Sequence, residues 1–284
     1  MAWEGLPTTW AIPLGEELVK RANFGFDLEL LPEGYGLVGG AARNVLEALA
    51  HPEVMVPKPR DIDVAFFSQL GAPRLERTEE YALSSAMAPH DTKHGYGIDE
   101  LLDMAEWLRR CDFTINQVLV CGGALYTTTS ALSDMLSYSI RPTIYEHNAD
   151  HRLGIKLTLK AVRLLAEFKV DGIDEAAIRG IDVRHEVSGA RSGSYAFWHT
   201  LSLDKALERG MEVAEEYLGR LRELGMSPPV AAHGNPIEVY SALLKEVGFT
   251  PSESVRRLLD TPGAGRSREG ILREMGLMGV ALRK

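Results

Sequence analysis

Asp61-Ile62-Asp63 is the triplet in this chain with the most direct chemical meaning. On a strand, side chains alternate between faces, so residues i and i+2 share one face, roughly 6.6–7 Å apart along the strand. Two carboxylates so placed repel each other unless cations sit between them. Phosphoryl-transfer enzymes use such pairs to hold two Mg²⁺ ions about 3.5–4 Å apart. One metal lowers the pKa of an attacking hydroxyl, and the other steadies the triphosphate and neutralises the leaving pyrophosphate. Asp-x-Asp alone also suits an N-cap beside a solvated edge strand, so the flanking residues decide its weight.

Two flanking features matter. Gly39-Gly40 is expected as a turn between a strand and a helix. Glycines there let a backbone approach a phosphate, and the following helix N-terminus offers free N–H groups and the positive end of its dipole. Arg43 falls in the first turn of that helix, where a guanidinium could meet a phosphate or a ribose. A plain tight turn would share this composition. The second feature is Arg109-Arg-Cys-Asp-Phe-Thr-Ile-Asn116, which sets two bases, an acid, an aromatic and an amide side by side. Asp112 either adds a third carboxylate or caps a helix beginning at Thr114.

The elements that must position these residues can be read from spacing. Tyr35–Val38 is expected as a strand, residues 41–50 as a helix rich in good formers, and residues 51–60 as an extended loop with three prolines. Asp61–Phe67 alternates and then turns apolar, as a strand entering a core does. A short helix is expected over 15–24, and a hairpin or mobile loop over 71–100. Residues 99–108 suit a short amphipathic helix or an edge strand, and 118–127 a strand interrupted by Gly122-Gly123. Beyond about residue 149 the period becomes helical, over 153–168, 174–187, 203–224, 237–247 and 252–259. The fold class is therefore α+β, with a head over 1–145 and a helical part over 146–284.

Composition sets wide bounds. The chain has 284 residues, 45% apolar and 25% charged, as soluble domains do. No apolar run approaches the ~18 residues of a membrane span, and no signal peptide is expected. Two cysteines, Cys111 and Cys121, make neither a disulfide framework nor a zinc site, and the cytoplasm is the expected compartment. A formal charge of −9 argues against nucleic acid covering the whole surface but leaves room for a local basic groove. From Pro251 onward seven bases face four acids, which suits a tail facing phosphates or a solvated helical face.

The motifs together resemble a family. Leu37-Val-Gly-Gly-Ala-Ala-Arg-Asn44, Arg60-Asp-Ile-Asp63 and Arg110-Cys-Asp-Phe-Thr-Ile-Asn116 are similar to motifs of the class II CCA-adding enzyme and bacterial poly(A) polymerase family. That family usually shows Gly-Gly-x-Val-Arg-Asp, then Asp-x-Asp, then Arg-Arg-Asp-Phe-Thr-x-Asn. Ser133-Asp-Met-Leu136 with Ile140-Arg141 resembles its Asp-Leu and Ile-Arg segment, and Lys160-Ala-Val-Arg163 its neck-helix motif. The likeness covers residues 35–168.

The resemblance implies a polymerase-β-like head followed by a helical neck and body. It implies template-independent transfer of a nucleoside monophosphate from ATP, CTP or both to an RNA 3′ end, that of tRNA. Asp61 and Asp63 would bind two Mg²⁺ ions, with Asp112 as a further catalytic carboxylate. Gly39, Gly40, Arg43, Arg110, Asn116, Lys160 and Arg163 would bind the nucleotide. Asn44 and Cys111 depart from the family's Asp and Arg, and residues 148–156 do not match its base-selecting segment. Transfer to a protein, a small molecule or a specific tRNA, as a toxin or defence factor, is an alternative reading. A non-catalytic nucleotide- or RNA-binding relative is another. No membrane partner is expected, and no oligomeric state is read from the sequence.

Two weaker signals stand apart. His90/His94 and His147/His151, the latter beside Asp150, have helical metal-ligand spacing. Tyr195 and Trp198 follow a Ser/Gly-rich stretch and suit either base stacking or a capped helix start.

Overall fold

Residues 9–23, 27–59, 62–87, 99–101, 103–143, 155–168, 192–230 and 234–260 are described in the computed structural model. They fall into two units, 1–151 and 152–284. The first is a mixed sheet with helices on both faces, and the described elements of the second are all helices, so the chain is α+β.

The first unit runs β1 (Thr9–Pro13), α1 (Glu16–Ala22), β2 (Tyr35–Val38), α2 (Gly39–Ala50), β3 (Asp63–Phe67), α3 (Arg77–Met87), β4 (Asp99–Leu101), α4 (Met104–Arg110), β5 (Val118–Cys121), β6 (Ala124–Thr128) and α5 (Thr129–Leu136). The six strands form one sheet in the order β1-β6-β5-β2-β3-β4. Every pairing is antiparallel except β3 with β4. β2 lies inside the sheet and is buried at all four residues, which is why its sequence is apolar and aromatic without alternation.

One face of the sheet carries α2, which packs on β2, β5 and β6 and is flanked by α1 and α5. Its eight consecutive buried residues, Ala41–Ala48, are mostly small or aliphatic, so the helix can lie close to the strands. On the other face Val38, Ala65, Phe67, Leu119 and Cys121 meet Met104 and Leu108 of α4. The Val38–Asp63 register between β2 and β3 sets the start of α2 beside the start of β3.

The second unit contains α6 (Ile155–Glu167), α7 (Ser192–Arg209), α8 (Met211–Glu223), α9 (Pro236–Val247) and α10 (Glu253–Asp260). α7 contacts each of the other four, and its Leu203 and Leu207 share a core with Leu159, Val162, Tyr217 and Tyr240. Buried Asp204 accepts from the Tyr240 hydroxyl at 2.5 Å and from Ser252 N at 3.3 Å, which ties α9 and the approach to α10 onto α7. His199, also fully buried, meets the Tyr195 ring edge-on at 4.5 Å. Neither of its ring nitrogens has a hydrogen-bond partner among the described residues, and burial pulls its pKa down to about 3.

Three expectations change. The loop expected over 71–100 contains α3, whose Glu80 is held by Arg74 at 2.6 Å and by the Tyr35 hydroxyl at 2.9 Å. The single helix expected over 203–224 is two, interrupted at Gly210. Thr114 starts only one tight helical turn, Thr114–Asn116, before the chain enters β5. The helix expected over 174–187 lies outside the described residues, as do His90, His94, His147 and His151.

Candidate active site

The glycine pair is less a turn than a helix start. α2 begins at Gly39 directly after β2, with Val38 as its cap residue. Gly39 has φ +63°, and a Cβ there would overlap the Asp63 carboxylate, whose Cγ would lie at 3.3 Å. Only glycine allows both the left-handed backbone and this close approach. Asp63, the first residue of β3, is exposed. Its carboxylate therefore lies against the first turn of α2, where N–H groups have no partner within the helix.

Arg43 sits one turn along α2 and is buried. Its Nη2 is 3.9 Å from where a Gly40 Cβ would stand, so the guanidinium covers the helix start. Its Nη1 donates to Asn116 Oδ1 at 2.8 Å. The Asn116 amide donates in turn to Asp112 Oδ1 at 2.6 Å, and the same oxygen accepts from Phe113 N at 3.0 Å. Asp112, Asn116, Arg43, Gly40, Gly39 and Asp63 thus form one continuous array at the α2 N-terminus. A bound guanidinium, a helix N-terminus and an exposed carboxylate together suit a phosphate and its counter-cation.

The loop that carries Asp112 and Asn116 is fixed along both edges. Residues 141–143 run antiparallel to it: Thr114 N donates to Arg141 O at 2.9 Å, and Thr143 N donates to Asp112 O at 2.9 Å. Asp134, buried on α5, holds Arg141 through two bonds of 2.7 Å and also accepts from the Thr114 hydroxyl. That carboxylate raises the Arg141 pKa above its ordinary value. On the inner side the Cys111 thiol donates to Asn116 O at 2.8 Å. Nothing local in the sequence marks Thr114 as a support, because its partners, Asp134 and Arg141, lie 20 and 27 residues away.

Other expected site residues lie elsewhere. Asp61 falls outside the described residues. Arg110, in the last turn of α4, is exposed and pairs with Glu106 at 2.5 Å rather than with a member of the array. Cys111, where an arginine was expected by resemblance, is buried and cannot reach a nucleotide as an arginine would. Lys160 and Arg163 belong to α6 of the second unit, where Arg163 is buried and paired with Glu167. Lys156 lies over the Trp198 ring at 5.3 Å, and Trp198 packs edge-to-face with Phe197.

Among the described residues no group of three or more His, Cys, Asp or Glu side chains is placed to hold a metal. Asp63 supplies a hard oxygen donor of the kind Mg²⁺ takes, and the missing Cβ of Gly39 gives that carboxylate its place beside the start of α2. The residues present fit that ion in part, with Asp112 turned instead toward orienting Asn116. No helix among the described residues is long and apolar enough to cross a membrane.

The chain matches no protein-family model. It matches no curated protein. Among solved structures it is similar to one titled "The complex structure of CCA-adding enzyme with CTP", at 17% identity and a TM-score of 0.36, over 89% of this chain and 55% of that one. The chain thus spans about half the length of that protein. The chemistry of the site rests on the residues themselves.

Proposed function

We propose that this chain is a template-independent nucleotidyltransferase that transfers a nucleoside monophosphate from a nucleoside triphosphate to an RNA 3′ hydroxyl, that of tRNA. The observation that carries the reading is the array from Asp63 through Gly39, Gly40 and Arg43 to Asn116 and Asp112. Its motifs and their order resemble those of the CCA-adding and poly(A) polymerase family, with Asn44 and Cys111 as departures.

In this reading the RNA 3′ hydroxyl oxygen bonds to the α-phosphorus, the bond from the α-phosphorus to the α,β-bridging oxygen breaks in line, pyrophosphate leaves, and the hydroxyl proton passes to solvent water. The α2 N–H groups and Arg43 bind the triphosphate. Asn116, oriented by Asp112, fixes the guanidinium at the start of α2. Asp61 and Asp63 would hold Mg²⁺, which supplies charge neutralisation at the phosphates and acidifies the attacking hydroxyl. The choice between ATP and CTP lies outside these residues.

The test is incubation of the pure protein with each labelled nucleoside triphosphate, Mg²⁺ and total RNA. Label at RNA 3′ ends supports the proposal. Label on protein or on a small molecule moves the acceptor. Nucleotide binding without any transfer makes the chain a binding relative.

A further inference from the structure

We infer that Asn44 is a positioning residue for the chain entering β3, acting through the carbonyl of Pro57; this rests on the reading of Asp61 and Asp63 as metal ligands. Asn44 follows Arg43 on α2 and is buried, with 3% of its surface exposed. Its Nδ2 donates to Pro57 O at 2.7 Å. One residue earlier, Val56 O accepts from Asn23 Nδ2 at 3.3 Å. Asn23 closes α1 in the left-handed region at φ 51°, which asparagine tolerates.

Two side-chain amides therefore hold consecutive carbonyls of the segment that leads into β3. The reason is chemical. Pro57 and Pro59 have no N–H, so residues 55–59 cannot join the sheet as a strand. Their inward carbonyls need donors from elsewhere. α2 is the common anchor: Gly39 abuts the Asp63 carboxylate, Arg43 reaches Asn116, and Asn44 fixes the chain a few residues ahead of Asp63. A carboxylate at position 44 would set an acceptor against the Pro57 carbonyl. The departure from Gly-Gly-x-Val-Arg-Asp thus matches the group it meets.

The test uses Asn44→Asp, nearly isosteric but without the donor, and Asn23→Gly, which keeps the left-handed backbone and removes the amide. Three quantities are read in the full-length protein: Mn²⁺ affinity by electron paramagnetic resonance, the Mg²⁺ requirement and nucleotide KM of incorporation, and hydrogen exchange of peptides covering 53–59. Asn44→Asp is expected to weaken Mn²⁺ binding and raise the half-saturating Mg²⁺ by about fivefold or more, the scale of one lost buried hydrogen bond. Nucleotide KM stays within about twofold, and exchange over 53–59 quickens. Asn23→Gly moves the same quantities less. A merely volumetric role for Asn44 would leave metal affinity unmoved in the isosteric variant, and that result overturns the inference. Should Asn44→Asp fail to melt cooperatively, Asn23→Gly decides alone, and unchanged Mn²⁺ affinity there overturns it equally. If the wild type neither binds Mn²⁺ nor incorporates nucleotide, the functional reading fails first and the inference with it. If the wild type does both and the folded variants match it, the inference alone fails.

Discussion

His199 offers a perturbation whose size can be worked out. The imidazole is fully buried in the helical unit, with neither nitrogen hydrogen-bonded among the described residues. Burial lowers its pKa from 6.5 to about 3. As the pH falls, the unfolded chain therefore takes the proton first. The native state holds its full advantage above pH 6.5 and loses it progressively toward pH 3. Below 6.5 the slope approaches ~1.4 kcal/mol per pH unit, so this one group removes about 2 kcal/mol of stability between pH 7 and pH 5. Replacement by leucine, of similar volume, abolishes that component. The assay is urea denaturation followed by circular dichroism at pH 7 and pH 5, in wild type and His199→Leu. The difference in pH dependence between the two isolates the group from other titrating residues. Parallel losses in both proteins would refute the argument and show that the imidazole is not held neutral.

Other perturbations address the site. Gly39→Ala puts a Cβ into the Asp63 carboxylate and an L-residue at φ +63°, so it costs about 1–2 kcal/mol of stability by thermal melt and lowers nucleotide incorporation by about a hundredfold or more. Asn116→Ala releases the buried Arg43 guanidinium from its amide acceptor, which raises nucleotide KM more than it lowers melting temperature, read by steady-state kinetics beside calorimetry. Asp134→Ala removes the carboxylate that holds Arg141 and Thr114, and it destabilises the protein in urea by about 2 kcal/mol, the range for hydrogen bonds to a charged group.

Some of this was legible in the sequence for identifiable reasons. Tyr35–Val38 and residues 41–50 declare themselves because a short apolar aromatic run, two glycines and a block of good helix formers follow in order. The strand expected over 118–127 proves to be two antiparallel strands, β5 and β6, because Gly122 and Gly123 both take positive φ and turn the chain back on itself. α3 hides because it is polar and amphipathic only weakly; Tyr35, forty-five residues earlier in the chain, supplies part of its anchoring. The break at Gly210 hides because the apolar period continues through it, and only its φ of 122° betrays the turn. At the site, local spacing marks Asp63, Gly39 and Arg43 as candidates but cannot say that Arg43 meets Asn116, seventy-three residues away. Nor can it say that Cys111 faces inward while Arg110 turns to Glu106. The Arg43–Asn116 contact depends on the sheet order, which a single sequence does not display, while the other two are local contacts around the end of α4.

The central claim is that Asp61 and Asp63 make this chain a metal-dependent nucleotidyltransferase. The most direct measurement is Mg²⁺-dependent incorporation of labelled nucleoside monophosphate into RNA by wild type, Asp61→Ala and Asp63→Ala, each with an unchanged circular dichroism spectrum. The account predicts 3′-end labelling by wild type and a loss of about a thousandfold or more in both variants. Incorporation near the wild-type rate in either variant would contradict it.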